Sequence, residues 1–323
     1  MLYRPLSGLS VSEIGLGCNN FGRFLGQNET TAVVRAALEA GITFFDTADV
    51  YGRGDQPFSG FGKSEQYLGR ALGSMRDQVV VATKFGGRTG DRDFGGRRGS
   101  RKFVTQSCED SLRRLGTDYI DLFQMHVPDD ETSIEETFEA LTDLAVAGKI
   151  LRVGVSNMSR DQLMAAAKAS PSELEHGLAS TQGEYSLLVR DVETSLLATC
   201  RELGIGFIPY FPLASGLLTG KYLNSEEPGD ARLRKWVPRS HFERSERVQS
   251  YILHLNAFAR ERGQTLLQLA FSWLLARDPV VSVIAGATKP SQVVANAACS
   301  GWRLTQDDLD AIDATWRSRF PFS

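Results

Sequence analysis

Short apolar or β-branched runs alternate with helix-period stretches along almost the whole chain, and this alternation limits the possible folds more than any other feature. The strand-like runs are EIGLG (13–17), ITFFD (42–46), VVVATK (79–84), IDLFQMH (120–126), LRVGVSN (151–157), LASTQ (178–182), IGFIPY (205–210) and VVSVIAG (280–286). Between them apolar residues return at helical spacing. Val104, Cys108, Leu112 and Leu115 form one such set, and Ile134, Phe138, Leu141 and Ala145 another, giving each segment one apolar face. Thr132-Ser-Ile-Glu135 and Ser159-Arg-Asp-Gln162 have the spacing of a capping box at a helix start. Gly41, Gly116, Gly148 and Gly204 follow helical patterns, where a left-handed residue ends a helix.

Alternating β and α segments imply parallel strands covered on both faces. Eight units without a Pro/Ser-rich linker between halves predict a closed α/β barrel, the (β/α)8 TIM barrel, as one domain over residues 1–323. The rival is an open doubly wound sheet with a dinucleotide at its first turn. Gly15-Leu-Gly17-Cys-Asn-Asn20 has asparagine where that motif needs its third glycine, and the next helical pattern starts near Glu29, too late for a tight turn. LYRPLS and LSVSE around Gly8 read as an N-terminal β-hairpin that plugs the lower end of the barrel. Extended loops are expected at the C-terminal face.

Composition removes several function classes. A net charge of −3 offers no global field for nucleic acid or an anionic membrane. No apolar run is long enough to span a bilayer, and MLYRPLSGLSVSEIGLG has no long apolar core, so a cytoplasmic protein is expected. Cys18, Cys108, Cys200 and Cys299 lack C-x-x-C spacing and read as reduced thiols. His126, His176, His241 and His254 also lack ligand spacing, and no metal site is expected. The Gly/Arg-rich run GGRTGDRDFGGRRGSRK (86–102) is a weak nucleic-acid signal in an acidic chain. A loop at the barrel mouth explains it better, and Arg97 and Arg98 would there favour anionic or polyhydroxylated substrates.

Catalytic groups of such barrels sit at the C-terminal ends of strands. Polar residues end most of the runs: Asp46, Lys84, His126, Ser156-Asn157, Gln182 and Tyr210. Polarity returns at any strand end, but Asp46, Lys84 and His126 close three consecutive runs and can converge on one mouth. Tyr51 lies five residues beyond Asp46. A nearby lysine is expected to lower the phenol's pKa from about 10, with Asp46 holding that lysine charged and oriented. Tyr51 would then give a proton to a carbonyl oxygen, and His126 would direct the same oxygen. The set supplies a proton donor and no nucleophile–base pair, which suits hydride transfer from a bound cofactor.

D-T-A-x-x-Y at 46–51, V-A-T-K at 81–84, D-L-F-Q-M-H at 121–126, G-V-S-N at 154–157 and Y-F-P-L-A-S-G-L-L-T-G-K at 210–221 together resemble the aldo-keto reductases over nearly the whole chain, including the aldose/aryl-alcohol reductase and channel β-subunit-like branches. The resemblance implies the catalytic tetrad Asp46, Tyr51, Lys84 and His126, with Tyr51 as general acid in the reducing direction. It implies a nicotinamide site in which Ser156, Asn157 and Gln182 hold the carboxamide beside Asp46 and Tyr210 stacks on the ring. Phe211, Pro212, Leu213 and Gly216 would also contact the cofactor, and Lys221 and Arg232 would add positive charge. Gly286, Thr288, Gln292 and Asn296 would serve the adenosine end. NADPH is expected ahead of NADH, although Gly286 and Gln292 stand where some members carry lysine and arginine, and Ala295 where relatives often carry glutamate.

The implied activity interconverts an aldehyde or ketone and its alcohol, with a small-molecule substrate and a monomeric or homo-oligomeric protein. The alternative is a cofactor-binding partner subunit with little turnover. RGDQPFSGF (53–61), with Phe58 and Phe61, reads as a substrate-pocket wall or a surface excursion. Residues 222–250 read as a loop over the cofactor, with Trp236 near the substrate. Trp302, Trp316 and Phe320 read as packing residues or pocket lining.

Overall fold

A computed structural model describes residues 1–52, 61–87, 97–170, 177–221, 223 and 246–320. Strands β1 (Tyr3–Leu6) and β2 (Leu9–Ser12) form an antiparallel hairpin. Ser7 and Gly8 turn it with φ of 45° and 83°, the positive pair that a two-residue hairpin turn requires. Eight further strands follow: β3 (Ile14–Gly17), β4 (Phe44–Asp46), β5 (Val80–Phe85), β6 (Ile120–Met125), β7 (Ile150–Ser156), β8 (Leu178–Glu184), β9 (Gly206–Tyr210) and β10 (Val283–Gly286). They form one parallel sheet in the order β10-β3-β4-β5-β6-β7-β8-β9. Phe207 N donates to Pro279 O and Val281 N to Phe207 O, both at 3.0 Å, so β9 meets the approach to β10 and closes the barrel.

Helices α1 (Gln27–Glu39), α2 (Lys63–Leu72), α3 (Arg101–Leu115), α4 (Ile134–Val146), α5 (Arg160–Ala169) and α6 (Leu196–Leu203) alternate with β3 to β9. Then come α7 (Glu246–Glu261), α8 (Leu266–Leu275), α9 (Pro290–Ala297) and α10 (Gln306–Arg319). Their ends are set locally. Ser159 and Gln162 make the expected reciprocal capping box on α5. Gly41, Gly116, Gly148 and Gly204 all have positive φ. The α4 start departs from expectation by one residue: Ser133, not Thr132, is the cap, and its hydroxyl accepts from Glu136 N at 3.2 Å.

Strand geometry sorts side chains into two layers. Ile14, Leu16, Phe45, Val81, Phe123, Val153 and Phe207 pack outward on the helices. Phe44, Val80, Ala82, Leu122, Ile208 and Ile284 point inward and fill the lower barrel together with Leu6 and Val11 of the hairpin. Both faces are therefore apolar, and the strands read as continuous hydrophobic runs. The hairpin plugs the lower end as expected. One step up on the inner face, side chains alternate in register, so Phe44 is followed by Asp46, Ala82 by Lys84, Leu122 by Gln124 and Ile208 by Tyr210. On these four strands the polar groups begin where the apolar filling stops.

Trp316 stacks on Phe320 at 4.2 Å, and both rings meet Tyr251, while Trp302 packs against the outer core. These C-terminal aromatics are packing residues. All four cysteines are buried and free. Among the described residues no helix is long and apolar enough to cross a membrane, and no cluster of His, Cys, Asp or Glu could hold a metal.

Candidate active site

Asp46 ends β4 and Lys84 lies in β5, 2% and 1% exposed. Lys84 Nζ donates to Asp46 Oδ2 at 2.6 Å, to Thr47 O at 2.9 Å and to Tyr51 Oη at 3.4 Å. The turn carrying Tyr51 keeps climbing β5: Thr47 N donates to Ala82 O, Asp49 N to Lys84 O, and Tyr51 N to Ala48 O. Ser64, in the first turn of α2, braces that turn from behind by donating to Cys18 O at 2.7 Å and pairing with Thr47 Oγ1 at 2.8 Å. His126 follows β6. Its ring meets Tyr51 edge to face at 5.8 Å, and its carbonyl accepts from Asn157 Nδ2 at 2.9 Å.

The charges are set by depth. Burial pulls the Lys84 ammonium down, but Asp46 and Tyr51 together outweigh it and hold Lys84 above its ordinary value. For Tyr51 the expected direction is reversed. Burial pushes the phenol above its ordinary value, and the opposing pull of Lys84 is too small to bring it down. Tyr51 is a neutral phenol at pH 7. Asp49 in the same turn, half-buried with its Oδ1 shut off from solvent, is pushed up to about 8 by that desolvation first and then by the Glu65 charge.

Burial first, then the Lys84 charge, holds His126 down to about 3. Its Nδ1 is buried against Gly87, where a β-carbon would lie only 3.0 Å away, and has no hydrogen-bond partner among the described residues. A buried donor without an acceptor is costly, so the proton belongs on Nε2. In an NMR titration the His126 ring carbons are expected to show no inflection between pH 5 and 8. An inflection there would mean that the ring is charged at neutrality and that this environment is wrong.

A second linked set borders the first. Tyr210 Oη donates to Asn157 Oδ1 at 2.7 Å, and Asn157 Nδ2 donates to Ser156 Oγ at 3.0 Å. The Asn157 amide is thus already engaged on both atoms. Gln182 Nε2 donates to Asp46 Oδ1 at 2.7 Å and to Gln124 Oε1 at 3.0 Å. Among the described residues, what this wall leaves for a ligand is one hydroxyl proton on Ser156 and one carbonyl oxygen on Gln182. That pair matches a primary carboxamide, whose oxygen accepts and whose nitrogen donates, and Tyr210 is pinned beside it. The residues fit a nicotinamide.

Beyond β9 the backbone is left-handed at Phe211, Ala214 and Ser215 as well as at Gly216, with φ of 51°, 45°, 57° and 99°. Three non-glycine residues held there store strain of a kind found at ligand clamps. Pro212 is buried, Leu213 half-buried and Lys221 exposed. Across the mouth, Gly286 pairs in register with Gly17. A β-carbon on it would come within 3.0 Å of Asn20 Nδ2 and 3.3 Å of Asn19 Oδ1. Thr288 and Gln292 do not stand open as expected: Gln292 Oε1 accepts from Thr288 N at 2.8 Å and from its hydroxyl at 3.2 Å. Asn296 is 6% exposed on α9.

Arg97 and Arg98 are committed to the protein, to Glu136 Oε2 at 2.9 Å and Gly86 O at 3.1 Å. Arg232, Phe58 and Trp236 lie outside the described residues. Sequence reasoning passed over Gln124, which is fully buried and donates to Asp46 Oδ1 at 3.3 Å. The signal was its place two residues before His126, hence on the same strand face.

Comparison with known proteins agrees with this geometry. Residues 13–317 match the sequence profile of the Aldo/keto reductase family. The chain is 36% identical to L-glyceraldehyde 3-phosphate reductase of Escherichia coli K12, over 96% of this chain and 90% of that one. It is 35% identical to a probable voltage-gated potassium channel subunit beta of Oryza sativa, over 99% and 98% of the two lengths. The solved glycerol dehydrogenase of Gluconobacter oxydans superposes with a TM-score of 0.84 at 30% identity, covering 99% of this chain and 97% of that one. With profile, relatives and barrel in agreement, the chain belongs to the aldo/keto reductase family and is, at that level, an oxidoreductase.

Proposed function

We propose that the protein interconverts a small aldehyde or ketone and its alcohol by hydride transfer with NADPH. The observation that carries this reading is the buried Asp46–Lys84–Tyr51 chain, with bonds of 2.6 and 3.4 Å, beside a wall whose free valences suit a carboxamide. The cofactor supplies the hydride. The protein's part is to hold the ring against Tyr210, to offer the Tyr51 proton to the carbonyl oxygen, and to direct that oxygen with His126 Nε2. Asp46 keeps Lys84 charged, which eases the charge left on Tyr51. Ser156 and Gln182 take the carboxamide, and Asn157 fixes Tyr210 from behind.

The NADPH preference rests on cations at the adenosine and pyrophosphate ends. Lys289 is the exposed N-cap of α9, next to Thr288, and Lys221 is exposed beyond β9. For either to matter, Gln292 must give up Thr288 to a phosphate, and the N–H released at a helix start is a good anion ligand. Names of relatives point to short polyhydroxylated substrates, a triose phosphate in one and glycerol in another.

The test is absorbance at 340 nm with NADPH and with NADH, against glyceraldehyde and its phosphate, dicarbonyls, aromatic aldehydes and aldoses, and in reverse with glycerol. Turnover faster with NADPH is expected. The likeness to a potassium channel β subunit supports a second reading, a cofactor-holding partner subunit. Tight NADPH binding without turnover in either direction would favour it.

A further inference from the structure

Gln124 lies at a level of the barrel where its strand could have continued apolar, directly above Leu122 on the inner face, and it is fully buried. Burying an amide is unfavourable unless it is hydrogen-bonded. Among the described residues its two polar atoms bond only to the site: Nε2 donates to Asp46 Oδ1 at 3.3 Å, and Oε1 accepts from Gln182 Nε2 at 3.0 Å. Its neighbours make room for it. A β-carbon on Gly154 of β7 would lie 2.9 Å from Gln124 Cγ and 2.8 Å from Ser180 Oγ, so the glycine leaves space for the clamp.

We propose that Gln124 is a positioning residue that ties the Gln182 amide to the Asp46 carboxylate, so that cofactor docking and proton delivery draw on one hydrogen-bonded unit. The proposal rests on the hydride-transfer reading of the site. Gln182 Nε2 has two N–H groups, and both are used, one on Asp46 and one on Gln124. That double anchorage fixes which way Gln182 Oε1 faces. On the other side, Asp46 accepts Lys84 on Oδ2 and both glutamine amides on Oδ1. Without the Gln124 donor, Asp46 draws more on Lys84, and less of the lysine's charge is left for Tyr51. The titratable groups facing Tyr51 are Lys84 from β5, Asp46 from β4, Cys18 after β3, and Tyr210, which ends β9. His126 after β6 meets its ring, and Asp49 sits in its own turn. None of these is itself replaced in a Gln124 variant, so a shifted profile reports the change passed through Asp46 and Lys84.

Gln124→Met keeps the length and removes both hydrogen bonds. Three quantities separate a positioning role from a packing role: the NADPH dissociation constant from fluorescence quenching, the pH profile of alcohol oxidation, and the melting temperature. The expected result is a folded protein that binds NADPH about tenfold more weakly, the order one lost buried hydrogen bond produces. Its oxidation rate should rise at higher pH than in the wild type, with substrate KM little changed. A folded variant with wild-type cofactor affinity and an unmoved pH profile would overturn the proposal. If the methionine variant does not fold, Gln124→Asn keeps the amide one methylene short, and the same readouts should move in the same direction by a smaller factor. Unchanged values there would overturn it equally. Should wild-type enzyme show no Tyr51-dependent turnover, the hydride-transfer reading fails separately, and the cofactor-affinity measurement alone decides the Gln124 clamp.

Discussion

Tyr51→Phe is expected to lower kcat for carbonyl reduction by about 10²- to 10⁴-fold, the usual contribution of a positioned proton donor, with NADPH affinity within about twofold of the wild type because no cofactor contact is removed. The substitution takes away one atom. The ring keeps its edge-to-face contact with His126 at 5.8 Å and its place 4.9 Å from Lys84 Nζ, and Lys84 keeps Asp46 and Thr47 O. Folding should therefore be preserved, and the loss should fall on kcat. The pH behaviour follows from the direction of the phenol's shift. A group held above its ordinary value of about 10 stays protonated across pH 6–9. Reduction by the wild type should be nearly flat in that range so far as Tyr51 governs it, while oxidation, which needs the phenolate, should climb with pH. Both directions are measured at 340 nm. A Tyr51→Phe enzyme that reduces at the wild-type rate would remove Tyr51 from the chemistry.

The barrel was legible because its determinants are local and repeated. Each strand is a short apolar run, each helix has one apolar face, and Gly41, Gly116, Gly148 and Gly204 mark four helix ends with the positive φ that glycine favours. Asp46, Lys84 and His126 were legible for a related reason: polarity returns where the inward apolar filling of Phe44, Ala82 and Leu122 stops. What was lost depends on choices that sequence leaves degenerate. Thr132-Ser133-Ile134-Glu135-Glu136 offers capping-box spacing in two registers, and the chain uses Ser133 with Glu136. The direction of the Tyr51 shift depends on how deep the phenol lies, and proximity of a lysine in sequence says nothing about depth. Gln292 closing on Thr288, and Asn157 being used up by Tyr210, Ser156 and the His126 carbonyl, are competitions between protein partners. Residue types name the donors and acceptors, but only the packed structure assigns them.

Lys84→Met is expected to cost both activity and stability, and the two losses should be separable. The substitution leaves Asp46, 2% exposed, without its counter-ion. Removing one partner of a buried pair typically costs about 3–5 kcal/mol, because the remaining charge is neither solvated nor paired. Gln124 and Gln182 still donate to Asp46 Oδ1, which favours the lower end of that range. Adding Asp46→Asn to Lys84→Met removes the stranded charge, so the double variant should be more stable than the single one while remaining as inactive. This non-additivity, read from urea midpoints, is the signature of a coupled buried pair. Lys84 is held above its ordinary value of about 10.5 in the folded protein, so its charge contributes fully below the unfolded value and is lost only as pH rises through the folded one. The difference between wild type and Lys84→Met should thus be constant from pH 6 to 9 and shrink only in alkali. A single variant as stable as the wild type would mean that water reaches Asp46 once the lysine is gone. The carboxylate would then be a hydrated group at the mouth of the barrel, and the case for Asp46 as the buried anchor of Lys84 would fail with it.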